Sequence, residues 1–584
     1  MAPQPERSQM PGPSDISIAL TGSGGAGVMT AGNLLLEAAA SAGLYGLMVR
    51  SSGPQIRGGE AAALLRISTR AVDCLNDRFD VLIGIDWQNV HRFAQEIPID
   101  AASLIVGDAD QGEPPEVFVR RGARRLHVPF KKTAKAIPGS WPNMIVLGLA
   151  ASLAGLPADA VKAVARKANK GSSEALAANL AAVDAGFEAG NGMAFEGSLV
   201  PMARSERPRW LITGNQAAGY GALRGGVRFV AGYPITPATE VLEWLAPALT
   251  ELGGALVQAE DELASINMII GASFGGVPAF TATAGPGFSL MSEAIGLAVA
   301  AEVPIVVLDV MRGGPSTGLP AKSEQGDLNI ALNGLHGDAP HVVVAPNSIA
   351  DCLGTTQWAV HLAEQLQVPA IVLSDQFLGQ TRAVIDRPPT LHFMGGRSVV
   401  EAGFQGYGRY ALTESGISPM AIPGTPDAAY TADGLEHNER GTPSSQSTDH
   451  SAQLAKRERK LLGHEYGDLW AQIEGDADGD VAIVTFGSCT GPAREALSRL
   501  KAEGIRSRLL SLRLLAPAQP RRLADALAGV NRLLVVEQNH GGQFLRHLRA
   551  ECDLPGEVRS LRRPGPLPIR AAEICREITE WSRA

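Results

Sequence analysis

Cysteine is scarce in this chain of 584 residues, and its pattern excludes whole classes of metal site. No two of the five cysteines form a C-x-x-C pair, so the chain alone builds neither a zinc ribbon nor a cysteine-ligated iron–sulfur cluster. Cys489, in GSCTGP, is interpreted as a buried small residue and not as a reactive thiol, because no histidine or second cysteine is near it in sequence. The cysteines are Cys74, Cys352, Cys489, Cys552 and Cys575.

A surplus of positive charge is also missing. The formal net charge is −9, and both signs are mixed along the chain, so we expect no nucleic-acid or anionic membrane surface. The most apolar stretch, AIGLAVAAEVPIVVLDV, is interrupted by Glu302 and Pro304 and is not a membrane span. The first residues, MAPQPERSQMPGPSD, lack the apolar core of a signal peptide. We therefore expect a cytoplasmic protein with a disordered tail at 1–14.

Glycine, by contrast, is abundant, and strand-like and helix-like segments alternate along most of the chain. This alternation predicts an α/β fold of three doubly wound, Rossmann-like units with parallel sheets covered on both faces. Their predicted bounds are 15–195, 208–390 and 476–584. Residues 391–475 are rich in Gly, Pro, Ser and Thr, which predicts an irregular connecting segment. Its basic run, AKRERKLL, is interpreted as a solvated helix face, with phosphate binding as the alternative.

A glycine-rich loop, GSGGAG, lies between the first predicted strand and a helix and fits G-x-G-x-x-G. Such glycines let the backbone approach a phosphate at a helix amino terminus. A dinucleotide site also needs an acid about 20 residues farther on, where the nearest charges here are Arg50 and Arg57. We therefore favour a phosphate-bearing ligand other than NAD, with packing glycines as the alternative. The predicted contacts are Gly22, Gly24, Gly25, Gly27, Arg57 and Gly58.

Three further stretches carry groups suited to catalysis. In GYPITPATE, Pro234 and Pro237 restrict the backbone on both sides of Thr236 at the end of a predicted strand. EDELASIN places three acids at the beginning of a helix, where acids commonly stabilise the helix dipole. RGGPSTGLPAK combines Arg312 with hydroxyls and a lysine, a combination that suits a carboxylate.

Together with TATAGPGFSLMSEA, these stretches resemble the pyrimidine-binding domain of 2-oxoacid:ferredoxin oxidoreductases. These thiamine-diphosphate enzymes oxidatively decarboxylate 2-oxoacids to acyl-CoA. GSGGAG and RSSGPQIRGGE resemble their gamma domain, and FGSCTGPAREAL and VEQNHGGQFLRHLR resemble their transketolase C-terminal-like domain. The resemblance covers nearly the whole chain. It implies an alpha subunit of the form in which the gamma part is fused ahead of the alpha part.

The resemblance also implies roles for single residues. Glu262 would share a proton with the aminopyrimidine ring of thiamine diphosphate, with Glu260 and Asp261 as the alternatives. Thr236 would face substrate and cofactor, and Pro234 would lie beside the cofactor.

Substrate recognition is implied in the same way. Arg312 would pair with the carboxylate of the 2-oxoacid. Ser316, Thr317 and Lys322 would contact a distal polar group, which favours 2-oxoglutarate over pyruvate or a branched-chain 2-oxoacid. The gamma-like glycines would contact coenzyme A.

The G-D-G motif that holds diphosphate and Mg²⁺ in thiamine enzymes is missing. GDADGD at 475–480 is interpreted as a polar linker, and it fails as a calcium loop because Val481 stands where glycine is needed. The resemblance therefore implies a beta subunit that supplies the diphosphate site, Mg²⁺ and a [4Fe–4S] cluster, with no metal held by this chain. The expected assembly is a heterodimer or a dimer of heterodimers that reduces ferredoxin or another acceptor. A non-catalytic CoA-binding subunit is the alternative, against which stands the presence of Thr236, Glu262 and Arg312 together.

Overall fold

A computed structural model describes residues 14–53, 59–193, 195, 197–199 and 208–583. The chain divides into two compact units, Met1–Ile212 with Thr381–Arg387, and Thr213–Gln380 with Pro388–Ala584. The predicted tail up to residue 13, and Arg57 and Gly58, lie outside the described residues. Of the helices within the described ranges, none has the length and apolarity needed to cross a bilayer.

The strands within the described residues are, in chain order, β1 (Asp15–Ser23), β2 (Tyr45–Ser52), β3 (Glu60–Ser68), β4 (Val81–Gly84), β5 (Leu104–Gly107), β6 (Arg124–His127), β7 (Arg209–Thr213), β8 (Phe229–Gly232), β9 (Ala255–Gln258), β10 (Ala279–Thr283), β11 (Val306–Met311), β12 (Val342–Val344), β13 (Ala370–Asp375), β14 (Arg382–Asp386), β15 (Ala471–Gly475), β16 (Val481–Phe486), β17 (Ser507–Leu512), β18 (Leu514–Ala516), β19 (Arg532–Glu537) and β20 (Glu557–Arg562).

The α-helices of the same ranges are α1 (Val28–Ser41), α2 (Glu116–Val119), α3 (Phe130–Ala136), α4 (Pro142–Leu153), α5 (Ala158–Ala168), α6 (Ser173–Asn191), α7 (Gly214–Gly225), α8 (Thr239–Glu251), α9 (Glu262–Phe274), α10 (Gly285–Ala300), α11 (Leu328–Asn333), α12 (Asp351–Leu366), α13 (Gln376–Gln380), α14 (Ser447–Leu462), α15 (Thr490–Ala502), α16 (Pro520–Ala526), α17 (Gln543–Glu551) and α18 (Ala571–Arg583).

The first sheet has the order β6-β5-β4-β1-β3-β2-β14-β7. Strands β1, β4, β5 and β6 are parallel, whereas β3 lies between β1 and β2 and is antiparallel to both. In a dinucleotide-binding unit the second strand lies directly beside the first and carries the ribose-binding acid. Because β3 separates β2 from β1, this geometry is absent from the described part of the sheet. The topology therefore argues against an NAD-dependent dehydrogenase. The absence of a ribose-binding acid about 20 residues after GSGGAG argues in the same direction.

The apolar core of this unit lies between the sheet and helices α1, α4 and α5. Ile18, Leu35, Ile83 and Leu147 are fully buried there. Apolar side chains from both the strands and the covering helices fill this layer, so burial of apolar surface holds the unit together.

Two strands near the domain boundary join the first sheet and not the second, which differs from the predicted bounds of 208–390. Strand β14 pairs antiparallel with β2, and β7 forms the outer edge. Tyr45 donates a hydrogen bond to Asp386 Oδ1 at 2.8 Å, and Arg382 donates to Asn33 Oδ1 at 2.9 Å. These contacts join residues more than 300 positions apart, which local sequence patterns do not encode.

The second and third sheets are mainly parallel. The second has the order β18-β12-β13-β11-β10-β8-β9, and the third β15-β17-β16-β19-β20. Only β18 and β15 run antiparallel to their neighbours within these described sheets. Strands β11, β13 and β16 are buried along their whole lengths, as expected for parallel strands covered on both faces. The predicted α/β fold class is confirmed, and the first sheet also contains antiparallel pairs, β3 with β1 and β2, and β14 with β2.

Three of the four basic side chains in the connecting segment's basic run, Lys456, Arg457 and Lys460, are buried, so the prediction of a solvated face is wrong for them, whereas Arg459 is exposed. The run lies in α14, a helix of 16 residues. Lys456 Nζ donates to both carboxylate oxygens of Glu302, at 2.6 and 2.7 Å, and Lys460 Nζ donates to Glu302 Oε2 at 3.0 Å. Glu302 lies two residues beyond the end of α10, and its carbonyl accepts a hydrogen bond from Arg409 at 2.7 Å. This cluster attaches the connecting segment to the carboxyl end of α10.

Burial and charge oppose each other in this cluster. Burial alone would raise the pKa of Glu302, but the positive charges of Lys460 and Lys456 hold that pKa well below its usual value. Burial lowers the pKa of Lys460 to about 8, against the attraction of Glu302. Each charge is therefore tolerated in the interior only because its partners are present.

Replacing Glu302 by glutamine should strongly destabilise the protein. The substitution leaves Lys456 and Lys460 buried without their counter-charge, which costs about 3–5 kcal/mol in comparable sites. Urea denaturation would measure the loss. Glu293, exposed on the same helix, gives the matched control, and Glu293→Gln should change stability by less than about 0.5 kcal/mol. Equal effects of the two substitutions would contradict the role given to Glu302.

Candidate active site

Four loops that follow neighbouring strands of the second sheet bring the predicted site residues together. Thr236 follows β8, Glu262 follows β9, Gly285 follows β10 and Arg312 follows β11. These strands are adjacent and parallel, so their carboxyl ends lie along one edge of the sheet. Open α/β sheets bind their ligands at this edge.

Of the three acids at 260–262, only Glu262 is buried. Glu260 is exposed. Asp261 caps helix α9, and its Oδ1 accepts a hydrogen bond from the backbone N–H of Ala264 at 2.7 Å. Glu262 is the first residue of the helix and is 6% exposed. Asp261 thus serves the helix end, and Glu262 has its carboxylate inside the site.

The first turn of α10 contains two glycines against which two carboxylates pack. This turn is formed by GPGF, residues 285–288, at the beginning of the helix. A Cβ on Gly287 would lie 2.5 Å from Glu262 Oε1 and would collide with the hydroxyl of Thr283. A Cβ on Gly285 would lie 2.7 Å from both carboxylate oxygens of Asp327. Glu262 and Asp327 thus both lie at the positive end of this helix, which favours negative charge.

Arg312 is oriented by the backbone of the proline-rich turn. It is 7% exposed, and its Nη1 donates to the carbonyl oxygen of Thr236 at 2.5 Å. Burial lowers the pKa of Arg312, and the negative charge of Asp327 opposes that shift. The carbonyl of Thr236, and not its hydroxyl, is the group that holds the guanidinium.

The proline-rich turn is itself fixed from helix α7. Asn215 is buried, and its Nδ2 donates to the carbonyl oxygen of Pro237 at 3.0 Å. The side chains of Pro234 and Thr236 are exposed at the edge of the sheet, where a bound molecule could touch them. The rigid turn inferred from the two prolines therefore has a side-chain anchor in addition.

Two carboxyl groups, one fully buried and one partly buried, lie beside Arg312. Asp309, in β11, is fully buried, and no protein donor in the described part of the chain reaches either of its oxygens. Burial, and next the charge of Asp327, raise the pKa of Asp309 well above its usual value. Burial, and next the charge of Glu324, raise the pKa of Asp327 to about 6.

The loop after Arg312 closes on itself. The backbone N–H of Gly313 donates to the carbonyl oxygen of Lys322 at 3.0 Å. Ser316 and Thr317 are exposed at the tip of this loop, whereas Lys322 is half-buried at its base. The structure therefore brings Lys322 to the Arg312 end of the loop and leaves the two hydroxyls at the far end.

An apolar surface borders the site. Leu263 and Met268 on α9 are 49% and 40% exposed, and Leu290 on α10 is 50% exposed. Helices α9 and α10 pack against each other, so these side chains belong to one region. Large exposed apolar side chains grouped in this way mark an interaction surface.

The glycine-rich loop of the first unit adopts backbone conformations that favour glycine. Gly25 and Gly27 have φ values of 94° and 82°, in the left-handed region. A Cβ on Gly27 would also collide with the side chain of Asn143. The backbone N–H of Gly24 donates to Gly59 O at 2.5 Å, and a Cβ on Gly22 would lie 3.4 Å from Asp86 Oδ2.

A carboxylate already occupies part of this loop. Asp86 accepts hydrogen bonds from Ser23 N at 3.0 Å and from Ser23 Oγ at 2.7 Å. Its negative charge opposes a phosphate at that point. Beside it lies a cleft of about 440 Å³ whose lining includes Lys131, Lys135 and Trp141. The side chains of Lys131 and Lys135, and not the backbone N–H of Ser23, are therefore the groups suited to bind a phosphate.

Cys489 is a buried residue, as predicted. Its Sγ lies 3.5 Å from Gln325 Oε1, to which it donates a hydrogen bond, and burial raises its thiol pKa. Burial raises the thiol pKa of Cys352 as well, and raises that of half-buried Cys552 to about 11. Cys74 and Cys575 are buried. These thiols are poor nucleophiles at neutral pH.

Sequence reasoning missed Asn215, Thr283, Asp309 and Asp327. One signal was available for Asp309, which is a charged residue inside the apolar run PIVVLDV. The sequence around the other three does not single them out, and only the packing of α7, α10 and the 313–327 segment brings them to the site.

Three families match the chain in succession. These are "Pyruvate ferredoxin/flavodoxin oxidoreductase" over residues 17–189, "Pyruvate flavodoxin/ferredoxin oxidoreductase, thiamine diP-bdg" over 220–457, and "Transketolase, C-terminal domain" over 471–552. The fold and the site thus define a subunit of a thiamine-dependent oxidoreductase that acts on 2-oxoacids.

Similar proteins narrow this class. The alpha subunit of 2-oxoacid:ferredoxin oxidoreductase 2 from Aeropyrum pernix is 30% identical, over 92% of this chain and 94% of that protein. The 2-oxoglutarate synthase subunit KorA of Methanothermobacter marburgensis is 35% identical, over 63% of this chain and 98% of that protein. The chain belongs to the family of 2-oxoacid:ferredoxin oxidoreductase alpha subunits, as the sequence resemblance indicated, and is an oxidoreductase subunit.

A solved structure agrees over nearly the whole length. It is described as "2-oxoglutarate:ferredoxin oxidoreductase from Magnetococcus marinus with 2-oxoglutarate, coenzyme A and succinyl-CoA bound". It is 36% identical with a TM-score of 0.90, covering 97% of this chain and 99% of that chain. The sequence-based prediction of family and fold is therefore confirmed, whereas the roles of single residues remain predictions.

Alanine at Gly287 should damage catalysis without unfolding the protein. The added methyl group displaces Glu262 or Thr283, and a displacement of about 1 Å in an active site costs about 10²-fold in rate. Steady-state kinetics of the assembled enzyme would measure kcat/KM. In the same helix, a Cβ on Gly296 would meet only His336, at 3.8 Å. Gly296→Ala should therefore keep full activity, and a comparable loss in both variants would contradict the assignment.

Proposed function

We propose that this chain is the alpha subunit of an enzyme that converts 2-oxoglutarate and coenzyme A to succinyl-CoA and CO₂. Two electrons pass through a partner subunit to ferredoxin or another acceptor. The observation that carries the proposal is that Glu262, Arg312 and the Thr236 turn lie at one edge of the second sheet. The chain is also similar, over 97% of its length, to an enzyme that was solved with these reactants bound. Pyruvate and branched-chain 2-oxoacids are the alternative substrates.

The residues at this edge suit the pyrimidine half of thiamine diphosphate. Glu262 presents a buried carboxylate, and Gly287 leaves open the space that a Cβ would fill in front of Glu262 Oε1. Glu262 would hold, at a carboxylate oxygen, the proton that it shares with the aminopyrimidine ring. When bound, thiamine diphosphate supplies the electron sink for loss of CO₂ from a 2-oxoacid.

Arg312 would bind and orient the carboxylate of the 2-oxoacid. Its guanidinium is buried, and one of its nitrogens is already held by the Thr236 carbonyl. A guanidinium fixed in this way presents its remaining N–H groups in a defined direction, which suits a planar carboxylate. The exposed side chain of Thr236 lies on the same turn and would touch both substrate and cofactor.

A partner subunit would complete the site. Leu263, Met268 and Leu290 form an exposed apolar surface next to Glu262, where a second chain would bury them. The partner would carry the diphosphate site with Mg²⁺ and the [4Fe–4S] cluster. The assembly would be a heterodimer or a dimer of heterodimers, and the chain alone would be inactive.

Coenzyme A would bind to the first unit at the cleft beside Gly25. Lys131 and Lys135 supply positive charge for phosphates, and Trp141 supplies an exposed aromatic face for the adenine. Asp86 keeps phosphates away from Ser23, so the lysine side of the cleft is the favoured position. Gly22, Gly24 and Gly27 would shape the loop and not contact the phosphates directly.

The function is tested by producing the chain together with its cluster-bearing partner and purifying them without oxygen. CoA-dependent reduction of a viologen dye should require both chains and should be fastest with 2-oxoglutarate, compared with pyruvate and 2-oxoisovalerate. Absence of dye reduction with every 2-oxoacid, in a complex that contains its cofactors, would overturn the proposal.

The proton role of Glu262 has its own test. Glu262→Gln removes the ionisable group, and loss of a positioned acid or base costs about 10²–10⁴-fold. The kcat of dye reduction should fall by that factor. The neighbouring exposed acid provides the control, and Glu260→Gln should keep the wild-type rate. A reversed pattern would move the role to Glu260.

Substrate length is tested at Lys322. If its side chain recognises the distal carboxylate, Lys322→Met should raise the KM for 2-oxoglutarate by about tenfold, which corresponds to about 1.4 kcal/mol, and leave the KM for pyruvate unchanged. Ser316→Ala and Thr317→Ala at the exposed loop tip should have smaller effects. Equal changes for both acids would exclude Lys322 as the selective group.

The CoA cleft is tested by reversing charge on one helix. Lys131→Glu and Lys135→Glu should each raise the KM for CoA by at least tenfold, because a charge-assisted contact contributes about 1.5–3 kcal/mol. Lys132, exposed on the same helix outside the cleft lining, gives the control. If Lys132→Glu raises the KM equally, the effect is general electrostatics and the site lies elsewhere.

A further inference from the structure

The carboxyl pair Asp309–Asp327 lies near the candidate substrate arginine, Arg312, whose pKa burial lowers and the charge of Asp327 raises. Asp309 is in β11 three residues before Arg312, and Asp327 immediately precedes α11. Asp309 is the register partner of Thr283 in β10, and Asp327 packs against Gly285, two residues beyond Thr283. The two carboxyl groups therefore approach each other, and each shifts the pKa of the other through a hydrogen bond between them. No protein donor among the described residues reaches either oxygen of Asp309 or the Oδ2 of Asp327. Two acceptors facing each other can be joined only by a proton between them.

The charged groups around the pair are few. Arg312 attracts Asp327, and Glu324 on the preceding loop repels it. His540 acts on Glu324 and not on the pair. The first turn of α10 packs against Asp327 through Gly285 and contributes the positive end of a helix dipole. Glu262 lies farther along the same turn, at Gly287.

We propose that Asp309 and Asp327 form a proton-exchange pair that controls the charge beside Arg312. In the free enzyme the pair holds one proton and one negative charge, and that charge neutralises the guanidinium. When the carboxylate of a 2-oxoacid binds Arg312, Asp327 takes up one proton from solvent, and the pair becomes neutral. The inference rests on the proposed function in one respect, the binding of the substrate carboxylate by Arg312.

Electrostatics gives the reason. Two carboxylates beside one buried guanidinium leave an excess negative charge in a medium of low dielectric constant. Uptake of a proton removes that excess at small cost, because the pKa of Asp327 is about 6 before substrate binds. The negative charge of the bound substrate carboxylate raises the pKa of Asp327 further. Substrate binding is then linked to one proton and weakens as pH rises above the pKa of the free pair.

The two aspartates have different parts. Asp309 is the more deeply buried of the two and keeps its proton. Asparagine at position 309 should therefore substitute for the protonated aspartate, because its amide N–H can donate the same hydrogen bond. Asp327 is the member that changes charge, so Asn there removes the exchange. A purely structural role would make the two substitutions similar in effect. The comparison therefore separates the proposal from ordinary core packing.

The first measurement uses the complex with its partner subunit and N-oxalylglycine, an unreactive analogue of 2-oxoglutarate. Its inhibition constant should rise about tenfold between pH 6.5 and 7.5. For Asp327→Asn the constant should be independent of pH and lower than wild type at pH 7.5. Asp309→Asn should keep the wild-type slope. Asp338→Asn, at an exposed site beyond α11, is the control and should also keep it.

A second measurement determines directly how many protons are taken up when the analogue binds. Calorimetric titration with the same analogue at pH 7.5, in two buffers of different ionisation enthalpy, should show uptake of about one proton by wild type and none by Asp327→Asn. If wild type takes up no proton, or if Asp327→Asn keeps the slope, the inference is wrong. Failure of wild type to turn over any 2-oxoacid would instead overturn the proposed function, so the two failures are distinguishable. If Asp327→Asn does not fold, the wild-type titration alone still decides.

Discussion

Helix α10 is fixed at both ends, and the candidate active site depends on that constraint. At its carboxyl end, the buried Glu302 pairs with two lysines of α14 and so attaches the connecting segment. At its amino end, glycines at 285 and 287 admit the carboxylates of Asp327 and Glu262. A shift of this helix would move both carboxylates together. The connecting segment, which carries none of the proposed catalytic groups, therefore contributes to the geometry of the site.

The sequence predicted those parts of the site that are local. Strand-end positions of Thr236, Glu262 and Arg312 follow from strand–helix alternation and the parallel-sheet rule, and the structure places all three on one edge. Burial of the two lysines of α14 could not be predicted, because a basic helix has the same pattern whether its lysines face water or a single buried glutamate. Strands β7, β14 and β18 join sheets far from their neighbours in sequence, and local patterns carry no information about such pairing.

The first unit contains a glycine-rich motif typical of dinucleotide sites, but in a sheet that lacks the dinucleotide-binding topology. GSGGAG stands between a strand and a helix, as a dinucleotide fingerprint does, but β3 separates β2 from β1 and Asp86 occupies part of the loop. A glycine pattern reports only that the backbone must turn sharply and be approached closely. The groups packed around it decide whether the approaching atom belongs to a ligand or to the protein.

The burial of the cysteines affects which subunit of such an enzyme is damaged by oxygen. Cys74, Cys352, Cys489 and Cys575 are enclosed, and half-buried Cys552 has a raised thiol pKa. Oxidants act on accessible thiolates, which this chain scarcely offers. In the assembly proposed above, oxygen damage would then fall on the partner subunit that is proposed to hold the cluster. An alpha chain recovered from oxidised enzyme should therefore be competent to form active enzyme again with fresh partner.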